Sequence, residues 1–291
     1  MDNQERLLIA PLIGSMSEIR EKQEQFREFA QRTSLPEGFR LAIEYRPDQI
    51  LSPVKIEELK SSPSQLENEV RHHFECFINI ILAKSPAGIP YIFTPRIEGE
   101  GGNFPQALSS LRLDYYEEVM QNYDAWGIDI EINQLPHYPE ERLLDRPDDV
   151  KIIGSRHYFK HQTKPQDLAG AAAHMVDSDG CKYIDIFKLA AWSEDDKEDV
   201  HIADTTGSFS RKGYPSIVVP MGDRLETEIM RCVMPFLGST ATYGRFGKGT
   251  AQGQPPIEIL AEVVSNLYKE RNHQDLIKRA AKYYKEASKQ H

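Results

Sequence analysis

Cysteine is scarce in this chain of 291 residues, occurring only as Cys76, Cys181 and Cys232. They form no zinc spacing and leave one thiol over in any disulfide scheme, which suits small buried thiols in a reducing compartment. Long apolar runs are missing too. No stretch approaches the roughly 18 residues of a membrane span, and the opening Met1-Asp2-Asn3-Gln4-Glu5-Arg6 lacks the basic start and apolar run of a secretory signal, so no membrane contact is expected and the cytoplasm is the expected location. Positive charge is the third shortage: 35 Lys and Arg stand against 45 Asp and Glu, a formal net charge of -10. That balance argues against a broad nucleic-acid-binding face. An anionic ligand must then meet a local basic pocket. No Gly-x-Gly-x-x-Gly follows an early strand, so dinucleotide binding is unsupported. The run Glu98-Gly99-Glu100-Gly101-Gly102 carries acids where a phosphate cradle needs a lysine.

What is present is the composition of an ordinary globular protein, 40% hydrophobic and 27% charged, arranged as short β-rich runs alternating with helical patterns. Strands are expected at 7–13, 41–46, 91–96, 127–132, 151–155, 183–192, 216–221 and 240–244. Helical spacing is read at 17–32, with Ser17 as N-cap, and at 66–84, 104–121, 166–176, 226–237 and 256–269. The acidic segments 139–149 and 193–204 carry a weaker pattern. Eight such units fit a closed (β/α)8 TIM barrel better than an open doubly wound sheet. The barrel domain is expected over 1–269, with a basic helical extension over 270–291 packed on its exterior.

In a parallel barrel the chemistry sits at the C-terminal ends of the strands, so polar residues there carry most weight. The outstanding one is Lys188, in the otherwise apolar Ile184-Asp185-Ile186-Phe187-Lys188-Leu189-Ala190-Ala191-Trp192. An ammonium with apolar neighbours loses hydration, which favours the neutral, nucleophilic amine; the structural alternative is a lysine that snorkels out or pairs with a carboxylate. Glu44 and Arg46 share a strand face and suggest an ion pair, and Asp129 with Glu131 suggests acids that hold a cation from a neighbouring strand. Arg96 and Glu100 follow the third strand and His157 the fifth, while Arg231, Thr250 and Gln254 follow the seventh and eighth. The pairs His72-His73 and His157/His161 invite a metal reading, but no further ligand accompanies them, and no metal site is expected. Jointly the set describes a Schiff-base lyase. Lys188 supplies the amine, His157 moves protons, Glu100 orients His157, and Arg231 grips a carboxylate.

At this point the chain resembles the type I 3-dehydroquinate dehydratases. The pieces run in order: Glu44-x-Arg46, Phe93-Thr94-x-Arg96 with Glu100-Gly101-Gly102, Asp129-x-Glu131, Ser155-x-His157-x-Phe159, Asp185-x-x-Lys188-x-Ala190, Met221-Gly222, Gly238-Ser239-x-x-Thr242 and Thr250-Ala251-x-Gly253-Gln254. The resemblance implies an enzyme free of metal and cofactor, commonly a homodimer, that dehydrates 3-dehydroquinate to 3-dehydroshikimate. Lys188 is then the imine-forming lysine, His157 with Glu100 the acid-base pair, and Arg231 the carboxylate ligand. Glu44, Arg46, Arg96, Thr250 and Gln254 shape the substrate pocket. Departures are Tyr158 in place of Asp, Lys164 between Thr163 and Pro165, Thr250 for serine, Gln252 for proline, and a long stretch from Met221 to Arg231. Two other readings stay open: a class I aldolase of sugar phosphates, and a non-catalytic homologue that binds a shikimate-like metabolite.

Overall fold

The computed structural model describes residues 5–160, 168, 170, 183–270 and 275–291. Strands β1 (Arg6–Leu12), β2 (Phe39–Tyr45), β3 (Tyr91–Phe93), β4 (Gly127–Glu131), β5 (Lys151–Tyr158), β6 (Ile186–Trp192), β7 (Ser216–Met221) and β8 (Ala241–Tyr243) pair in parallel in the order β7-β6-β5-β4-β3-β2-β1-β8. The sheet curls into a nearly closed barrel. Between β7 and β8, Thr240 N donates to Ser216 O at 2.7 Å and Val218 N to Ser239 Oγ at 3.2 Å, so single bonds rather than a ladder draw the last edges together.

Side chains alternate across each strand, and the alternation places the site. Leu7, Ile9, Ala42, Ile92, Ile153, Ile186, Ile217 and Ala241 point inward and fill the barrel. Leu8, Ile43, Phe93, Ile128 and Ile152 face the surrounding helices. Two residues beyond an inward apolar residue, still on the inner face, stands a polar one: Glu44 after Ala42, Thr94 after Ile92, Ser155 and then His157 after Ile153, Lys188 after Ile186, Tyr243 after Ala241. The apolar barrel is thus capped by a buried polar layer at its C-terminal end.

The helices are α1 (Met16–Arg32), α2 (Pro53–Leu59), α3 (Pro63–Ile80), α4 (Ser109–Asn122), α5 (Glu140–Leu144), α6 (Asp196–Arg211), α7 (Leu225–Val233), α8 (Ile257–Lys269) and α9 (Leu276–Ala287). The N-cap of α1 is Ser15, not Ser17. Ser15 Oγ accepts from Glu18 N at 3.4 Å, and the Glu18 carboxylate returns the bond from Ser15 N at 2.6 Å, a capping box that Ser17 cannot form. The acidic segment after β6 is a full helix of 16 residues, started by Asp195 Oδ1 accepting from Lys197 N and Glu198 N. Its acids crowd the first turn, where the helix dipole favours them. Helix α2 is an addition to the elements expected from sequence. Most of the segment expected as a helix over 166–176 lies outside the described residues. The basic α9 buries Leu276, Ala280, Tyr284 and Ala287 against α7 and α8, and Tyr284 donates to Glu228. Among the described residues no helix is long and apolar enough to cross a membrane.

Candidate active site

Lys188 is the third residue of β6, in register with Ser155 of β5 and Ile217 of β7, so it stands inside the barrel rather than at the strand end. Its strand is apolar, but its ammonium is not in apolar surroundings. Nζ donates to Asp129 Oδ2 at 2.7 Å, to Tyr243 OH at 2.9 Å and to Glu44 Oε1 at 3.5 Å. The structural alternative, pairing with a carboxylate, is therefore present. Asp129 also accepts from Arg96 Nη2 at 2.8 Å and from Ser155 Oγ at 2.6 Å. Burial alone would raise the Asp129 carboxyl, but Arg96 and Lys188 beside it win and hold it well below the usual carboxylate range.

His157 lies on the same inner face, two residues beyond Ser155. Its Nδ1 is 3.2 Å from Glu100 Oε2 and 3.2 Å from Arg96 Nη1, and its backbone N donates to Glu100 Oε2 at 3.1 Å. Nε2 bonds to none of the described residues. Burial, then the charges of Arg96 and Lys188, pushes the imidazole well below its ordinary pKa, so it is neutral at neutral pH. Burial acts oppositely on Glu100 and lifts its carboxyl to about 7, against the pull of Arg156, whose Nη1 donates to Oε1 at 3.1 Å, and of Arg96. Gly101 makes this turn possible. It has φ +81°, and a Cβ there would lie 2.7 Å from Cζ of Phe159, the ring that stacks on His157 at 5.9 Å between centroids.

Arg231 enters from the seventh position of α7. Its Nε donates to Pro220 O at 2.8 Å, Nη2 to Gln252 O at 3.1 Å and Nη1 to Tyr243 O at 3.4 Å. Among the described residues no carboxylate pairs with it, and burial lowers its pKa to about 9. The long stretch before it is largely this helix. Arg46 does not pair with Glu44; its Nε and Nη2 grip Asp48 at 2.9 and 2.8 Å, because the chain turns after β2 and brings Asp48 back under the guanidinium. Glu44 accepts instead from Thr94 Oγ1 at 3.2 Å. Glu131 takes Arg112 Nη1 at 2.7 Å, with Arg96 3.9 Å away. Gln254 Oε1 accepts from Thr250 N at 2.8 Å and Ala251 N at 3.3 Å, while Nε2 donates to Thr250 Oγ1 at 3.2 Å, so one amide shapes the loop after β8.

One cleft, open to solvent, is lined by all of Glu44, Arg46, Arg96, Glu100, His157, Lys188, Arg231, Thr250 and Gln254. Tyr243, Phe159, Ala190, Val219 and Met221 also line it. Asp129 holds Arg96, which follows the adjacent strand β3, as its spacing with Glu131 suggests, and also Lys188 of β6, two strands away. Tyr243 has no role in the sequence reading, although its inward register at a strand end was a usable signal. Tyr158, by contrast, alternates outward from His157 and packs with the outer-layer cluster of Phe187 and Leu189, under the Arg156 guanidinium. Among the described residues no group of three or more His, Cys, Asp or Glu is placed to hold a metal ion. His161, Cys181, Thr163, Lys164 and Pro165 lie outside the described residues.

The family profile described as Type I 3-dehydroquinase matches residues 69–271, which include every candidate residue except Glu44 and Arg46. A 3-dehydroquinate dehydratase of Aromatoleum aromaticum is 30% identical over 189 residues, 64% of this chain and 70% of that protein. Its counterpart in Geobacillus thermodenitrificans is 27% identical over 181 residues, 62% and 68% of the two chains. Among solved structures, the type I 3-dehydroquinate dehydratase of Clostridium difficile superposes with a TM-score of 0.63 at 20% identity, covering 92% of this chain and 94% of its own. The 3-dehydroquinate dehydratase of Geobacillus kaustophilus gives 0.62 at 22% identity, over 92% and 93%.

Proposed function

The chain belongs to the type I 3-dehydroquinase family, and from that premise we propose that it eliminates water from 3-dehydroquinate to give 3-dehydroshikimate through an imine on Lys188. The observation that carries this reading is the pairing, in one cavity, of a buried amine with a buried arginine that has no carboxylate partner among the described residues. Arg231 takes the substrate carboxylate, whose charge replaces the hydration the guanidinium lacks. The ring ketone then meets Lys188. A C–N bond forms, the ketone oxygen leaves as water, and the cationic iminium draws electrons from the adjacent carbon.

His157, being neutral, removes a proton from that carbon. Ionised Glu100 accepts from Nδ1–H and leaves the Nε2 lone pair as the base; in that state Arg96 Nη1 is a neighbour of Nδ1, since a guanidinium only donates. The C–H electron pair becomes the new double bond, the hydroxyl on the next carbon departs, and the imidazolium returns the proton to it as water. Hydrolysis of the iminium releases the enone and the amine. Family membership also carries a homodimer and a cytoplasmic location into the proposal, tested by sedimentation and by cell fractionation.

Reduction with borohydride in the presence of 3-dehydroquinate, followed by intact mass and peptide mapping, is the test. An adduct on Lys188 is expected, with both adduct and turnover absent in Lys188→Met. No adduct in an active wild-type enzyme refutes the imine. Trapping by a sugar phosphate alone would move the protein to the aldolases, and binding without turnover would make it a non-catalytic homologue.

A further inference from the structure

The hydroxyl of Tyr243, 2.9 Å from Lys188 Nζ and 3.5 Å from Glu44 Oε1, has no task in the elimination described above. Tyr243 ends β8, points inward, is 4% exposed and lines the cavity. Its ring lies beside the amine, with Nζ 4.4 Å from the centroid. Phenylalanine would supply that ring without burying a hydroxyl, which is costly unless it is well bonded. Here the phenol is bonded to the reacting nitrogen itself.

Imine formation on an ammonium has a strict proton inventory. A ketone and a primary ammonium give an iminium and water, so one ammonium proton stays on nitrogen and the others end on the departing oxygen. Direct transfer from nitrogen to oxygen across their shared carbon needs a four-membered ring, whose N–H···O angle is far below the range in which hydrogen bonds hold. A hydroxyl beside both atoms relieves this, because it accepts and donates at once.

We propose that Tyr243 is a catalytic residue of imine formation and hydrolysis, accepting a proton from the Lys188 nitrogen while giving its own to the oxygen that leaves as water. The relay runs twice. As the C–N bond forms, one ammonium proton passes through the phenol to the ketone oxygen and leaves a carbinolamine still protonated on nitrogen. Then an N–H bond breaks as a phenol O–H forms, the original phenol O–H breaks, and the carbinolamine hydroxyl departs as water with its C–O electron pair. The electron pair on nitrogen closes the C=N bond. The phenol ends as a phenol, so no outside acid or base is consumed. Burial, with Glu44 and Asp129 nearby, raises the Tyr243 pKa well above its ordinary value, which disfavours a lasting phenolate and fits a simultaneous give and take. Reversal of the same relay hydrolyses the product iminium.

This assignment rests on the Lys188 imine, so its test separates the two. Wild-type protein and Tyr243→Phe are mixed with 3-dehydroquinate and quenched with borohydride at successive times, and the Lys188 adduct is followed by mass. In Tyr243→Phe the adduct is expected to appear roughly 100-fold more slowly, the lower end of what a positioned proton carrier contributes, yet to reach the same final level. Loss of ¹⁸O from the labelled ketone of 3-dehydroshikimate should slow by a similar factor. An unchanged rate in Tyr243→Phe overturns the relay and leaves the imine standing, whereas no adduct in active wild type overturns both. A further reading needs no variant: because protons move together, the wild-type rate of adduct formation should curve downward with deuterium fraction in mixed water. A straight line overturns the relay.

Discussion

Glu100→Gln should make the protein less active and, at alkaline pH, more stable. The wild-type carboxyl has its pKa raised by burial from 4.5 to about 7. Between those values the unfolded chain has released this proton and the folded chain keeps it. A raised acid contributes stability that is fully present below about pH 4.5 and is lost as pH rises through about 7, a loss of roughly 3 kcal/mol at 1.36 kcal/mol per tenfold. Glutamine carries no proton to lose. The stability of Glu100→Gln relative to wild type should therefore climb by roughly 3 kcal/mol between about pH 4.5 and 8, measured by urea unfolding at a series of pH values. His157 contributes with the opposite sign, since its depressed pKa makes stability fall as pH drops below its ordinary value of 6.5. It is present in both proteins and largely cancels in the difference. Activity moves the other way. On the proposed mechanism ionised Glu100 fixes the Nδ1–H of His157, so kcat/KM of wild type should rise with pH and bend near 7, and the variant should lose that bend. Exchanging a charge-assisted bond for a neutral one costs about 1–1.5 kcal/mol, roughly tenfold in rate above the bend. A stability difference flat with pH, or a bend that stays in place in the variant, would refute the reasoning.

Arg231→Met should raise KM for 3-dehydroquinate by about 100-fold, the worth of a bidentate charged grip near 3 kcal/mol, with a smaller effect on kcat; an unchanged KM in steady-state assays would remove Arg231 from substrate binding. Gly101→Ala must place a methyl group 2.7 Å from Phe159 Cζ at a φ of +81°. It should cost about 1–2 kcal/mol from the left-handed backbone alone and lower activity further by moving the Phe159 ring off His157. Thermal unfolding that matches wild type would show that the turn has another way to form.

The alternation of short β-rich runs with helical spacing is enough to read the barrel, because each inward and each outward residue of a buried parallel strand must be apolar or specifically bonded. Lys188 and His157 are legible for the same reason: a charge or imidazole on such a strand needs an explanation. What is not legible depends on where the chain turns after a strand. Spacing sets Arg46 against Glu44, yet the 3-10 turn Pro47–Ile50 brings Asp48 closer, and sequence periodicity carries no trace of that turn. Arg112 resembles a solvent-facing residue between two leucines of α4. It is fully buried, donating to Tyr138 OH, Pro95 O and Glu131. Ser15 is legible in principle, since Ser15-Met16-Ser17-Glu18 holds the spacing of a capping box. Tyr243 is hidden because an aromatic on a barrel strand reads as packing, and only its distance from Nζ gives the hydroxyl a meaning.

The buried charges at the barrel mouth would let an acidic protein hold the anion that the proposed function requires. Arg46 is matched by Asp48, Arg96 by Asp129, Lys188 by Asp129 and Glu44, and Arg112 by Glu131. Each of these cations has its counter-charge built in, so none attracts a ligand strongly. Arg231 is the exception in this layer among the described residues, solvated by backbone carbonyls alone. A buried cation without a counter-ion destabilises the ligand-free protein, as its lowered pKa of about 9 indicates. An anion seated there relieves that cost, so part of the binding energy comes from removing a penalty that folding had imposed. The net charge of -10 then acts as a filter. On the proposed mechanism, repulsion from the body of the protein weakens indiscriminate anion binding, and the pocket recovers affinity only for an anion that reaches Arg231 while presenting a ketone to Lys188.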